Sequence, residues 1–178
     1  MNPVEIAGAL DTMTALVDTR EQDTQALRRR LSVFGKYERE KLDFGDYSAA
    51  VTLPDGAKYS LADKVAVERK MSLDELAACF TGGRARFRRE FERAKEAGAK
   101  IYLLVESATW EKAYGHRYRS QLNPKAFIAS MTAWLARYDC QIIFCQPETT
   151  GILIKEILYR EMKERLEGGE ADCLTKDG

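Results

Sequence analysis

Residues 68 to 70 read Glu-Arg-Lys and close a stretch, Lys64 to Lys70, in which Val65 and Val67 alternate with Ala66, Glu68 and Lys70. Side chains two positions apart on a β-strand project from one face, so Glu68 and Lys70 are expected side by side. A carboxylate able to hold a divalent cation, next to an ammonium able to steady an attacking water, is the equipment of phosphodiester hydrolysis. Taken alone, Glu-x-Lys equally describes the solvated face of a strand. Gly45-Asp46 precedes another strand candidate, Tyr47 to Leu53, and a carboxylate there could reach a cation held by Glu68; an exposed tight turn would carry the same two letters. Asp18-Thr19-Arg20-Glu21 follows the apolar run Ala15-Leu16-Val17. Polar residues at the carboxyl ends of strands are where open α/β sheets place ligands, although an acidic helix N-terminus reads the same way. Glu106, which ends the run Ile101 to Val105, is a comparable strand-end acid and reads as structural.

Between Arg84 and Lys100, seven cations (Arg84, Arg86, Arg88, Arg89, Arg93, Lys95 and Lys100) face three acids, Glu90, Glu92 and Glu96. A net-positive helix beside an acidic metal site would neutralise phosphates along a nucleic-acid backbone. The competing reading is a surface helix laced with i, i+4 ion pairs. The formal net charge of the whole chain is zero, which argues against a protein that coats nucleic acid through bulk charge and leaves room for a local basic surface. The four cysteines, Cys79, Cys140, Cys145 and Cys173, form no Cys-x-x-Cys pair, and His116 is the only histidine, so a zinc cage is not expected. A bound metal would rest on oxygen ligands, which points to Mg²⁺ or Mn²⁺. The cysteines read as reduced thiols of a cytoplasmic protein.

The elements that must position these groups can be read from periodicity. With 178 residues the chain is long enough for one domain with a real core. Residues 1–13 read as a leader with one helical turn, residues 14–166 as the domain, and residues 167–178 as a disordered tail. A helix is expected from Gln22 to Leu31 with a turn at Gly35, and Pro54-Asp55-Gly56 reads as a turn within a β-meander or hairpin. Ser72-Leu73-Asp74-Glu75 is a capping-box pattern, with Ser72 as N-cap and Glu75 at N3. The helix it opens runs to Phe80 and breaks at Gly82-Gly83, and the basic helix then spans Ala85 to Ala97, burying Phe87, Phe91 and Ala94. A strand over Ile101–Val105, a helix from Asn123-Pro124 carrying Phe127, Met131 and Trp134, a strand over Ile142–Phe144 and a helix over Thr150–Leu166 complete the order. Meander, helix, strand, helix, strand, helix describes an α/β fold, a mixed sheet flanked by helices. No apolar run approaches the length of a membrane span, and the first five residues lack the basic and apolar regions of a secretory signal.

In combination, Val17-Asp18-Thr19-Arg20-Glu21, Gly45-Asp46-Tyr47, the run Val67-Glu68-Arg69-Lys70-Met71-Ser72-Leu73-Asp74 and Gly83-Arg84 resemble the nuclease core of the XPF family of structure-specific endonucleases. The family signature, Gly-Asp followed by Glu-Arg-Lys-x-x-x-Asp, is present in order, and the resemblance covers roughly residues 14 to 160. It implies a restriction-endonuclease-like fold and Mg²⁺- or Mn²⁺-dependent hydrolysis of DNA, in branched, flap or junction substrates of repair or recombination, to 5′-phosphate and 3′-hydroxyl ends. By the same resemblance Asp46 and Glu68 are metal ligands helped by the backbone carbonyl of Arg69, and Asp18 is a further acid of the metal site. Lys70 orients the attacking water; Glu21 joins the catalytic set. Arg20, Arg84, Arg86, Arg88 and Arg89 are the expected DNA contacts, while Ser72 and Asp74 give structural support. Many relatives continue into tandem helix-hairpin-helix modules, for which the sequence leaves no room; small stand-alone phage and bacterial versions are the nearer pattern, in a cytoplasm of their own or of a host. A homodimer or heterodimer is also expected, through the helix of Phe127 and Trp134 or that of residues 150–166, although core packing explains each of these residues too. The rival reading is a non-catalytic DNA-binding or scaffolding subunit of a nuclease heterodimer; such partners typically lose the acids or the lysine, and here all are present.

Overall fold

A computed structural model describes residues 1–173. Its centre is a seven-stranded mixed sheet in the order β2-β1-β3-β5-β6-β7, with β4 paired to β3. The strands are β1 (Thr14–Asp18), β2 (Tyr37–Glu40), β3 (Tyr47–Thr52), β4 (Lys58–Ser60), β5 (Val65–Lys70), β6 (Lys100–Glu106) and β7 (Cys140–Cys145). β3 runs antiparallel to β1, β4 and β5, as the turn at residues 54–56 requires, whereas β5, β6 and β7 are parallel. The restriction-endonuclease-like α/β reading therefore stands.

Helices cover both faces: α1 (Pro3–Asp11), α2 (Gln25–Leu31) and α7 (Pro147–Glu167) on one, and α3 (Leu73–Phe80), α4 (Arg84–Glu96), α5 (Trp110–Tyr114) and α6 (Pro124–Arg137) on the other. β5 shows the expected alternation directly. Val65 and Val67 enter the core under α1, α2 and α7, while Ala66 enters the core under α3, α4 and α6. A strand covered on both sides places any polar group it carries at its end, where the helices diverge.

Three expectations need correction. The opening residues form a full nine-residue helix, because Asn2 and Glu5 build a reciprocal capping box and Ile6, Ala9 and Leu10 have a core to enter. α2 starts at Gln25 instead of Gln22, because the Thr24 hydroxyl caps it by accepting the Leu27 N–H at 3.1 Å. The tail is ordered through residues 170–173, a 3₁₀ turn that buries Ala171 and offers Glu170 to the Tyr59 hydroxyl at 3.2 Å; residues 174–178 lie outside the described residues. No helix is long and apolar enough to cross a membrane among the described residues.

The two helices expected to offer a dimer interface spend their apolar faces on the core of one chain. Phe127, Met131 and Trp134 of α6 and Ile154, Leu158 and Met162 of α7 are fully buried. Trp134 is the hub of the α3–α4–α6 face, with ring centroids of Phe80 at 4.9 Å, Tyr138 at 5.5 Å and Phe87 at 5.8 Å. Trp134→Ala should therefore cost about 3–5 kcal/mol in unfolding free energy, measured by urea titration. A loss under about 1 kcal/mol would mean this aromatic cluster does not hold the helices to the sheet.

Candidate active site

The end of β5 presents Glu68 and Lys70 on the face they share with Ala66, toward α4. The Lys70 ammonium donates to Glu68 Oε1 and lies 5.5 Å from the centre of the Phe87 ring. Glu68 is buried, and its other oxygen, Oε2, has no hydrogen-bond partner among the described residues. Asp46 is brought to the same place by the Gly45 turn. Gly45 has φ +73°, and a Cβ there would stand 2.5 Å from the Ala66 side chain, so only glycine lets the loop pass this close to β5. The main chain then fastens Asp46 on two sides: its N–H donates to the Val67 carbonyl at 2.8 Å, and its carbonyl accepts the Asp18 N–H at 2.9 Å. Asp46 Oδ2 accepts the Arg69 N–H at 2.7 Å.

These charges do not balance. Burial, reinforced by Glu21 and Glu90 and opposed by Lys70, pushes the Asp46 carboxyl up to about 7. Burial and the neighbouring Asp46 raise Glu68 as well. Burial works against the Lys70 ammonium, but Glu68 and Asp46 outweigh it and hold Lys70 above the ordinary lysine range, so it keeps its proton at neutral pH.

A cleft of about 590 Å³ collects these groups, and Arg20, Glu21, Arg69 and Arg86 join Asp46, Glu68 and Lys70 in its lining. Glu21 is held by a buried network: the Tyr47 hydroxyl donates to it at 3.1 Å, and Arg30 donates to Tyr47 at 3.1 Å while standing 3.5 Å from Glu21. Arg69 belongs to the opposite face of β5. Its guanidinium makes a two-pronged ion pair with Glu106 at 2.8 and 2.7 Å, which gives Glu106 its structural role. Behind this pair lies a second hollow of about 270 Å³, between α2 and the start of α7.

Asp18 stands apart from the cleft lining. It is buried, and its two oxygens accept four N–H groups: the Arg20 main chain and Nε at 2.7 Å each, Arg20 Nη2 at 3.0 Å and the Leu42 main chain at 2.8 Å. Burial alone would raise its pKa, but Arg20 and these main-chain donors lower it overall. Arg84 is also engaged within the protein, donating to the Phe80 carbonyl and Ser130 at 3.3 Å each and stacking over Trp134. Arg86, Arg88 and Arg89 are exposed and form no ion pair among the described residues, so the reading of α4 as a helix laced with ion pairs does not hold for these three there. Ser72 caps α3 as expected, accepting the Glu75 N–H at 3.2 Å, but Glu75 reaches back to the Met71 N–H at 2.7 Å, one residue before the cap.

Two contributors were not singled out by the sequence reading. Glu90, read only as an acid diluting a basic helix, is buried in the cleft wall and accepts the Gly45 N–H at 2.9 Å. Arg30, on α2, is the cation of the Glu21 network. Helical spacing held one clue: Glu90 lies three residues beyond Phe87 and one before Phe91, on the edge of the buried stripe.

The residues fit a hard divalent cation. Among the described residues no three His, Cys, Asp or Glu side chains form a ready cage, so the protein would supply two carboxylates, Asp46 and Glu68, with main chain and water completing the shell. The free oxygen of Glu68 and the crowding of negative charge are what a cation would relieve. The thiols do not compete: burial pushes Cys140 up to about 12 and raises Cys79.

The ERCC4 domain family model matches residues 17–157. Among solved structures the chain is similar to XPF from Aeropyrum pernix, with a TM-score of 0.59 and 23% identity over 83% of this chain and 61% of that one. The chain thus spans less than two thirds of that relative. No curated protein matches it.

The buried charge has a measurable consequence. The folded pKa of Asp46, about 7, lies above the unfolded value of about 3.9. Folding is therefore penalised above the folded pKa, and the penalty fades as pH falls through it. Without divalent ions, Asp46→Asn should melt several degrees above the wild type at about pH 8, with the gap closing toward about pH 5. Equal melting temperatures across that range would show that Asp46 is not held in a charge-crowded, desolvated place.

Proposed function

The chain belongs to the ERCC4 domain family, and from that premise and the cleft's geometry we propose that it is a divalent-metal-dependent DNA endonuclease. The observation that carries this reading is the meeting of Asp46, Glu68 and a protonated Lys70 in one cleft beside Arg86. Asp46 and Glu68, with the backbone carbonyl of Arg69, would hold Mg²⁺ or Mn²⁺, which would supply Lewis acidity to a water and to the scissile phosphate.

The chain's own residues do the rest. Lys70 keeps its proton, so it serves as a donor: it positions the attacking water and the phosphate for in-line displacement and offsets the negative charge that grows in the transition state. The Gly45 turn and the Arg69 N–H fix the Asp46 carboxylate, and Phe87 shields the Lys70–Glu68 pair from bulk water. Asp18, with all its acceptor capacity spent on Arg20 and Leu42, acts as a positioning residue for the Asp46 loop. Glu21 stands in the cleft wall with its orientation fixed by Tyr47 and Arg30. Arg86, Arg88 and Arg89 hold the flanking phosphates, giving affinity without sequence reading, and Arg84 ties the start of the helix that carries them to Ser130 of α6. Branched, flap or junction DNA is the proposed substrate, with the duplex backbone along α4.

Labelled flap, fork, junction and linear DNAs, incubated with and without Mg²⁺ or Mn²⁺, test the reading. Asp46→Asn and Lys70→Ala should each lower nicking by roughly 10²–10³-fold or more with an unchanged circular dichroism spectrum. Wild-type cleavage by either variant would end this mechanism, and absence of metal-dependent cleavage by the wild type would favour a non-catalytic subunit. Arg88→Ala with Arg89→Ala should reduce the slope of log affinity against log salt by about 1.8 for all sequences alike. An unchanged slope would remove α4 from the DNA surface.

A further inference from the structure

A second basic surface lies on the loop between α5 and α6. From Glu111 to Lys125 the sequence carries Lys112, Arg117, Arg119 and Lys125 against the single acid Glu111, within a chain of zero net charge. Lys112 is engaged, its ammonium donating to the Ser107 carbonyl at 2.8 Å. Arg117 and Lys125 are exposed and form no ion pair among the described residues. Arg119 has a 94% exposed side chain whose acidic neighbour, Asp74, is 3.6 Å away, a solvent-screened contact that leaves its charge available. Tyr114, at the start of the loop, is 64% exposed. Cations beside an open aromatic face are what grips a nucleic-acid strand.

The loop is held in shape. His116 has φ +53°, a left-handed conformation uncommon for a residue with a side chain, and its ring contacts Tyr118 and the Ser120 carbonyl. Tyr118 donates to the Leu122 carbonyl at 2.7 Å and packs edge-on against Phe127. The decisive tie is Asp74, whose Oδ1 accepts the Arg119 N–H at 2.7 Å and the Ser120 N–H at 2.8 Å. Asp74 is the last acid of the Glu-Arg-Lys-x-x-x-Asp run, four residues beyond Lys70 and in the first turn of α3. Met71 and Glu75, its neighbours, line the cleft. A strand leaving the cleft over Met71 therefore next meets the loop.

We propose that the loop over residues 114–123 is a second nucleic-acid contact surface, in which Arg117 and Arg119 bind phosphates of the strand leaving the cleft and Tyr114 offers its ring to an unstacked base. Asp74 fixes this surface in register with the catalytic strand. The inference rests on the proposed DNA reading and deepens it by naming where the strand goes.

The test is fluorescence anisotropy with a labelled DNA fork, using the full chain without Mg²⁺ and scanning salt. Arg117→Ala with Arg119→Ala removes two exposed cations and should weaken binding about tenfold near 0.1 M salt, lower the salt slope by about 1.8, and leave the melting temperature unchanged. Asp74→Ala should weaken binding in the same direction and speed amide exchange at Arg119 and Ser120. Wild-type affinity and slope in the double arginine variant, against a wild type that binds, overturn this inference and leave the nuclease reading intact. A wild type that binds no DNA overturns both. Loss of binding in the double arginine variant, in a wild type that binds and does not cleave, supports the loop and sinks only the enzyme.

Discussion

The site depends on keeping two carboxylates out of water with one ammonium between them. Removing a carboxylate from solvent costs several kcal/mol unless it is paired and hydrogen-bonded. Lys70 offsets only part of the charge of Asp46 and Glu68, and Glu21 and Glu90 add more of the same sign. The protein does not relax this repulsion by turning the acids outward, because main-chain hydrogen bonds to Val67 and Arg69 hold Asp46, and parallel pairing with β6 holds Glu68 and Lys70. The unspent stabilisation is open to whatever positive charge arrives. A cation that bound there would stabilise the folded protein by relieving this repulsion.

A single strand divides its work between its two faces. Toward α4, β5 offers Glu68 and Lys70; toward α2 and α7 it sends Arg69 into Glu106. α4 likewise serves two ends at once. Its buried edge carries Phe87 against Lys70 and Glu90 against the Gly45 turn, while its outer edge carries the exposed Arg86, Arg88 and Arg89. The exposed arginines and the cleft carboxylates are therefore referred to the same helix.

Much of this was legible in the sequence where one physical rule decides the outcome. Period-two alternation set the faces of β5, Ser72 set the start of α3, and Phe87, Phe91 and Ala94 set the buried stripe of α4. What stayed hidden depends on partners far along the chain. β2, Tyr-Glu-Arg-Glu, has no apolar alternation because it is an edge strand supported by main-chain pairing to β1. Asp18 sits at a strand end as expected, but one of the four N–H groups that hold it comes from Leu42, 24 residues away. Glu90 looks like one more surface charge until the Gly45 N–H is set beside it, 45 residues upstream. The Gly-Asp pair could be found by eye, but the reason for its glycine lies in Ala66, on another strand.

The bidentate pair between Arg69 and Glu106 closes one side of the catalytic strand, and the hollow behind it opens between α2 and α7. A guanidinium fork cannot be replaced by a lysine's single ammonium without losing one of its two prongs. Tolerance to substitution at this pair is thus governed by shape matching as well as by charge.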